Sequence, residues 1–216
     1  MKYTLLTIAL AASLSACGDP GGPGDRDRAD AAPYDAPAGD VAADASARFA
    51  DEAALLRWLR EEEKLAHDVY VALQAQSGAF ANIAASEQTH TDAVRALLVR
   101  YSIPDPAAGR AQGSFADPTL QALHDALVAR GRASVVAALQ VGAEVEELDI
   151  ADIREMRGVA RSADVLTTLD SLERGSRNHL RSFWRQLQMM GAGYTPQHLP
   201  AAEFAAITES AMETGR

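Results

Sequence analysis

Ser86-Glu87-Gln88-Thr89-His90, with Ile83 before it and Val94, Leu97 and Tyr101 after it, puts two metal-binding groups on an otherwise apolar helix face. Glu87 and His90 are three residues apart, so one ion can reach both. A carboxylate and an imidazole on a core-facing stripe are costly unless something pairs with them. Three more segments carry the same chemistry at mid-helix. They are Arg60-Glu61-Glu62-Glu63-Lys64-Leu65-Ala66-His67, Glu144-Val145-Glu146-Glu147-Leu148-Asp149 and Arg177-Asn178-His179-Leu180. A pair of metal ions between four long helices would supply the missing partner.

Outward from these segments the chain reads as all-α. Ala, Leu, Arg, Glu and Gln dominate and β-branched runs are scarce. The periodicity predicts a first helix from about Ala50 to Gln76, stopped near Ser77-Gly78. A second runs from about Ala79 to Tyr101, before Pro104 and Pro106. A loop with Gly109 and Gly113 leads to a shorter helix that opens at Asp117-Pro118 and ends near Arg130. Two more long helices follow, Ser134 to Met156 and about Ser162 or Ala163 to Met190, where Gly191 and Gly193 end the second of them. A short helix from about Pro200 to Met212 closes the chain. Two tight hairpins separated by one long connection are the plan of a ferritin-like four-helix bundle built for paired metals. The expected fold is that bundle, with a long crossover between its second and third helices and a short C-terminal helix.

The N-terminal end speaks of place. Residues 1–16 read as an export signal, with Lys2 at its positive start and Tyr3 to Ala12 as its apolar stretch. That stretch is too short for a spanning helix. Leu14-Ser15-Ala16-Cys17 resembles the bacterial lipoprotein box, which implies lipid on Cys17. Residues 17–48 are rich in Gly, Pro, Asp and Ala and form a tether. Residues 49–214 fit one folded domain. The expectation is a bacterial envelope protein that faces the periplasm and meets the membrane through lipidated Cys17. Gly18 stands where the inner-membrane retention signal has Asp, which points to the outer membrane. Cys17 is the only cysteine, so no internal disulfide forms. A formal net charge of −10 argues against nucleic acid as a partner.

Paired metals in such a bundle take one Glu from each of two helices and Glu-x-x-His from each of the other two. Glu63 lies on the first helix's apolar stripe, and Glu87 with His90 on the second. The third offers Glu144, Glu146, Glu147 and Asp149. Helical spacing does not choose among them; Glu146 and Glu147 are both candidate ligands. The fourth offers His179, but Ser176 stands where the pattern wants a carboxylate. The third helix is the natural source of the missing ligand. Glu62, His67, Glu144 and Asp149 are further candidates, and Tyr70 and Asn178 are candidate hydrogen bonders behind the ligands. At 1.5 Å per residue, Glu63 lies roughly 22 Å before the turn at Gly78 and His90 roughly 18 Å after it, so the first hairpin brings them level. In the second hairpin Glu147 is nearer the turn than His179 by about two turns. Glu61 reads as solvated charge, His124 and His198 as surface residues, and Trp58, Trp184 and the methionines as packing.

At these residues the chain resembles a known family. Glu62-Glu63-Lys64-Leu65-Ala66-His67-Asp68-Val69-Tyr70, Ser86 to Val94, Val141-Gly142-Ala143 with Glu146 to Ile150, and Gly175 to Phe183 are similar to the ferritin-like family called domain of unknown function 2202 (DUF2202). Tyr194-Thr195-Pro196-Gln197 matches it too, and the likeness covers about residues 55–207. His67 departs from the Arg more common there. The first two motifs also resemble rubrerythrin, with Glu63 and Glu87-x-x-His90 at that family's ligand positions. The resemblance implies a di-metal site, with iron first and manganese second. With no cysteine pairs the chain carries no rubredoxin-type centre, so its redox partner is unknown.

Two readings follow. One is an envelope di-metal oxidoreductase of the ferroxidase or peroxidase type. The other is a non-catalytic lipoprotein that serves as an interaction or metal-sequestering module. Neither fixes the oligomeric state, and a homodimer is compatible with both.

Overall fold

Four polar side chains open the first four helices by accepting a backbone N–H that has no partner within the helix. Asp51 accepts from Ala54 N at 2.7 Å, Ser77 from Ala79 N at 3.4 Å, Asp117 from Thr119 N at 2.7 Å and Ser134 from Ala137 N at 3.0 Å. The computed structural model describes residues 48–214. They form α1 (Glu52–Leu73), α2 (Gly78–Arg100), α3 (Pro118–Gly131), α4 (Val135–Val159), α5 (Ala163–Met189) and α6 (Ala201–Thr208). The described residues are all-helical, with six helices and no strands. The export segment 1–16, Cys17 and the tether to residue 47 lie outside them. No described helix is long and apolar enough to cross a membrane.

Side-chain ties fix the directions of the long helices. Glu52, at the start of α1, accepts Arg161 N at 2.8 Å, Ser162 N at 2.9 Å and the Ser162 hydroxyl at 2.6 Å in the α4–α5 turn. Ser77, past the end of α1, donates to Gln186 Oε1 near the end of α5 at 2.9 Å. So α1 and α5 run the same way. Tyr101 donates to Asp164 Oδ1 at 2.5 Å, which places the end of α2 beside the start of α5. The end of α4 lies there as well. Residues 101–134 therefore run back along the length of the molecule, with α3 packed on α1 and α4.

The interior is apolar at two levels with a polar layer between them. One cluster gathers Leu55, Leu59, Val94, Leu98, Met156 and Leu169. The other holds Tyr70, Phe80 and Phe183, whose ring centroids lie 5.2–5.7 Å apart. Gly142 is required here, because a Cβ would come within 2.6 Å of the Phe183 ring. The positions between the clusters are Glu62 and Glu63 of α1, Glu87 and His90 of α2, Glu146 and Asp149 of α4, and Ser176 and His179 of α5.

Some sequence expectations are corrected. The charge run of α1 is buried on both sides, because residues 101–117 cover its outer face. Glu61, expected in solvent, is 3% exposed and accepts Ala116 N and, at 2.9 Å, Asp117 N. His124, expected at the surface, is buried against the Phe115 ring at 5.3 Å and over Gly113, whose φ is 72°. The last helix ends at Thr208, four residues early. Thr208 Oγ1 donates back to Phe204 O at 2.9 Å and Ser210 Oγ to Ile207 O at 2.7 Å, which occupies its last carbonyls.

Candidate metal centre

Glu87 is the hinge of the polar layer. It is 2% exposed, and its two oxygens face two different imidazoles. Oε1 lies 2.7 Å from His179 Nδ1 and Oε2 lies 2.9 Å from His90 Nδ1. Each imidazole meets a second carboxylate: His90 Nδ1 is 3.3 Å from Glu63 Oε2, and His179 Nδ1 is 3.5 Å from Glu146 Oε1. The layer thus contains two three-residue groups, Glu63–Glu87–His90 and Glu87–Glu146–His179, which share Glu87. The two rings are stacked with centroids 5.5 Å apart.

These contacts are close but most of them are not hydrogen bonds. Glu63 Oε1, Glu87 Oε1, Asp149 Oδ1 and the Nδ1 atoms of both histidines are buried with no hydrogen-bond partner, although opposite charges sit within reach. The distances are satisfied and the directions are not. Ligands at right angles around an ion, each about 2.1 Å from it, stand about 3.0 Å apart. The observed separations have that size. Five buried carboxylates (Glu62, Glu63, Glu87, Glu146 and Asp149) face two imidazoles, and such an excess of buried negative charge requires cations or protons. The residues present fit a pair of divalent ions.

The electrostatics agree in direction. Burial pushes the Glu63 carboxyl up to about 7 against the pull of His90. Burial drives Asp149 well above the usual carboxylate range, and Glu63 adds to it. Burial works against the charged form of Glu87 too, but His179 and His90 overcome it and hold Glu87 low. Burial opposes the His90 imidazolium, yet Glu87 and Glu63 raise it to about 12; the same balance, with Glu87 and Glu146, raises His179 to about 10.

Neighbours aim these groups. Tyr70, fully buried, donates to Glu146 Oε1 at 2.5 Å. Ser86 Oγ meets His179 Nε2 at 3.0 Å, which leaves Nδ1 turned to the acids. Gly175 makes room for His90, since a Cβ there would lie 2.5 Å from His90 Nε2. Asp149 faces the layer from α4 and accepts from the Ser176 hydroxyl. Ser86 and Gly175 were not singled out from sequence, since a small residue beside a ligand carries no periodic signal.

Other candidates lie elsewhere. Glu147 is fully buried but turned to the C-terminal segment, where it accepts Tyr194 OH at 2.5 Å, Gln197 N at 3.0 Å, His198 N at 3.3 Å and Leu199 N at 2.9 Å. Every oxygen is used, so it is a tether and not a ligand. Glu144 pairs with Arg130 at the surface. His67 turns to Asp68 at 2.9 Å, beneath residues 101–117. Asn178 points outward and binds the backbone of Glu213, through Nδ2 at 2.9 Å and Oδ1 at 2.8 Å. Glu62 is buried beside Asp149 and Asp152 but belongs to neither three-residue group.

Fold and site together define an all-helical protein with a buried layer of acids and imidazoles. A family model described as an uncharacterized protein domain (DUF2202) matches residues 52–211, and the chain belongs to that family. It is similar to the uncharacterized protein MJ0754 of Methanocaldococcus jannaschii, at 45% identity over 159 residues, which are 73% of this chain and 86% of that one. The crystal structure of hypothetical protein MJ0754 from Methanococcus jannaschii matches with a TM-score of 0.73 at 44% identity, covering 75% of this chain and 94% of the other.

Proposed function

We propose that the chain is a ferritin-like four-helix bundle that holds two metal ions, iron or manganese, in a carboxylate-bridged redox centre. The observation that carries this is Glu87, whose two oxygens each face a different imidazole within 2.9 Å. Parallel α1 and α5 and the long return through residues 101–134 support the bundle class, which uses one long crossover. Mixed carboxylate and imidazole donors suit iron and manganese.

Glu63 and His90 would hold one ion, Glu146 and His179 the other, and Glu87 both. Asp149 would serve as the carboxylate that the Glu-x-x-His pattern lacks at Ser176. When bound, such a pair supplies electron transfer and Lewis-acid polarisation to a small oxidant. Tyr70 holds Glu146 in place, and Ser86 fixes the ring of His179. The apolar clusters on either side keep bulk water from the layer. Ferrous oxidation and peroxide reduction are the reaction classes this arrangement serves. The lipoprotein-like Leu14-Ser15-Ala16-Cys17 carries the further proposal that this chemistry sits at the bacterial envelope on a lipid anchor.

The test is metal content of the full chain after loading with ferrous iron or manganese. Two ions per chain and an optical change on adding peroxide are expected. A chain that retains neither metal ends the proposal.

A further inference from the structure

A cavity lies on the outer side of α1 and α2, beneath residues 101–117. Its volume is about 270 Å³. It shares no residue with the metal-facing set. Lys64, Gln88 and Thr91 line it, each one residue past Glu63, Glu87 and His90, and so about 100° further round its helix.

The wall is cationic on a chain of net charge −10. Arg60, Lys64 and Arg110 line the cavity and Asp68 is the one carboxylate among its lining residues. Asp68 is fully engaged: it takes Lys64 Nζ, Gly113 N at 2.8 Å and His67 Nδ1 at 2.9 Å. Arg60 has only a long contact of 3.3 Å from Nε to Asp105, which also accepts Ala107 N at 2.9 Å. Two wall groups are left unfilled. Arg60 is 8% and Thr91 6% exposed, yet Arg60 Nη1 and Thr91 Oγ1 have no hydrogen-bond partner. Unfilled buried donors are costly, and on a guanidinium more so. An acceptor-rich anion would satisfy both, and guanidinium groups recognise oxyanions through paired N–H donors.

We propose that this cavity binds a small tetrahedral oxyanion of the phosphate class. The ligand is set by the unpartnered donors, the Arg60 guanidinium and the Thr91 hydroxyl. Lys64, which donates to Asp68 and Ala111 O, and Arg110, which donates to Pro106 O and Phe115 O, add positive charge to the wall. The site stands whether or not the metal centre does.

The experiment is calorimetric titration of the full chain with inorganic phosphate, once as purified and once after a chelator has removed metal. Saturable one-to-one binding is expected in both preparations, with nitrate failing to compete. Arg60→Lys keeps the charge but loses the paired donors, and should weaken binding about tenfold. Thr91→Val removes an unpartnered hydroxyl, so stability is kept while affinity falls about threefold or more. Saturable binding that Thr91→Val leaves unchanged overturns the proposal, as does the absence of saturable binding. Binding seen only before chelation overturns it as well, because the phosphate would then belong to the metal.

Discussion

Ser176 and Asp149 meet across the packing of α4 on α5, the serine hydroxyl donating to Asp149 Oδ2. Its oxygen also lies 2.9 Å from Leu172 O, but one hydroxyl has one proton and the carboxylate is the stronger acceptor. On the proposed reading, α4 supplies through Asp149 the acid that a Glu-x-x-His motif would place on α5. Ser176 is small enough to admit that acid and polar enough to hold it.

Asp149→Asn should therefore cost metal, and Ser176→Ala should weaken it. Loss of a hydrogen bonder behind a ligand lowers metal affinity about 10- to 100-fold. Ser176→Ala is expected at the lower end of that range and Asp149→Asn beyond it, read by competition with a chelator of known affinity. Equal affinity of the Asp149→Asn variant and the parent chain would show that Asp149 takes no part.

The shared carboxylate makes a stoichiometric prediction. Glu87→Ala removes a ligand from both three-residue groups, whereas His90→Ala and His179→Ala each remove one from a single group. After iron or manganese loading, Glu87→Ala is expected to hold no tightly bound ion and each histidine variant about one. Loss of both ions from either histidine variant, with helical content preserved, would show that the two positions are not separable in this way.

The legible part of this site is what lies on one stripe of one helix. Glu63, Glu87 with His90, and His179 sit among apolar neighbours at helical spacing, and the structure brings their side chains together. The choice between Glu146 and Glu147 was not legible, because both adjoin apolar positions and one faces the interior while the other faces residues 194–199. Asn178 misled for a related reason: its partner is the Glu213 backbone, far along the chain. The buried outer face of α1 was hidden because Glu61, Lys64 and Asp68 look like solvated charge until residues 101–117 lie on them. Periodicity reports what a helix offers and not what a loop will cover. The order of the long helices and their hairpins, by contrast, followed from caps and glycines, and Gly191 does end α5 with a φ of 66°.

Glu147→Gln separates a tether from a ligand. The carboxylate accepts four hydrogen bonds that hold residues 194–199. An amide keeps the shape but loses the charge and one acceptor, at a cost of about 2 kcal/mol. That lowers the melting temperature by roughly 4–8 °C for a domain of this size. Metal content should be unchanged. Loss of a bound ion with an unaltered melting temperature would return Glu147 to the ligand set.

The C-terminal segment supplies a pH test away from the buried polar layer. Glu213 accepts from Arg177 Nε at 2.7 Å and Nη2 at 2.6 Å, and from Arg181 Nη2 at 2.8 Å. The hydrogen bonds from Arg177 come first in holding its carboxyl down at about 2, well below its ordinary value of 4.5. Glu173, 2.8 Å from Arg177, is the other acid facing that guanidinium. A carboxyl held low in the folded state stabilises it above the unfolded value. That contribution fades as the pH falls from about 4.5 through about 2. Glu213 is partly open to solvent, so screening keeps the effect local. Its own N–H donates to Asn178 Oδ1 at 2.8 Å, so amide exchange at Glu213 reports docking directly. Exchange there is expected to quicken as the pH falls through that window, relative to Glu213→Gln, in which no carboxylate remains to be lost. The same pH profile in both chains would mean that the backbone ties to Asn178, and not the paired arginines, hold the segment against α5.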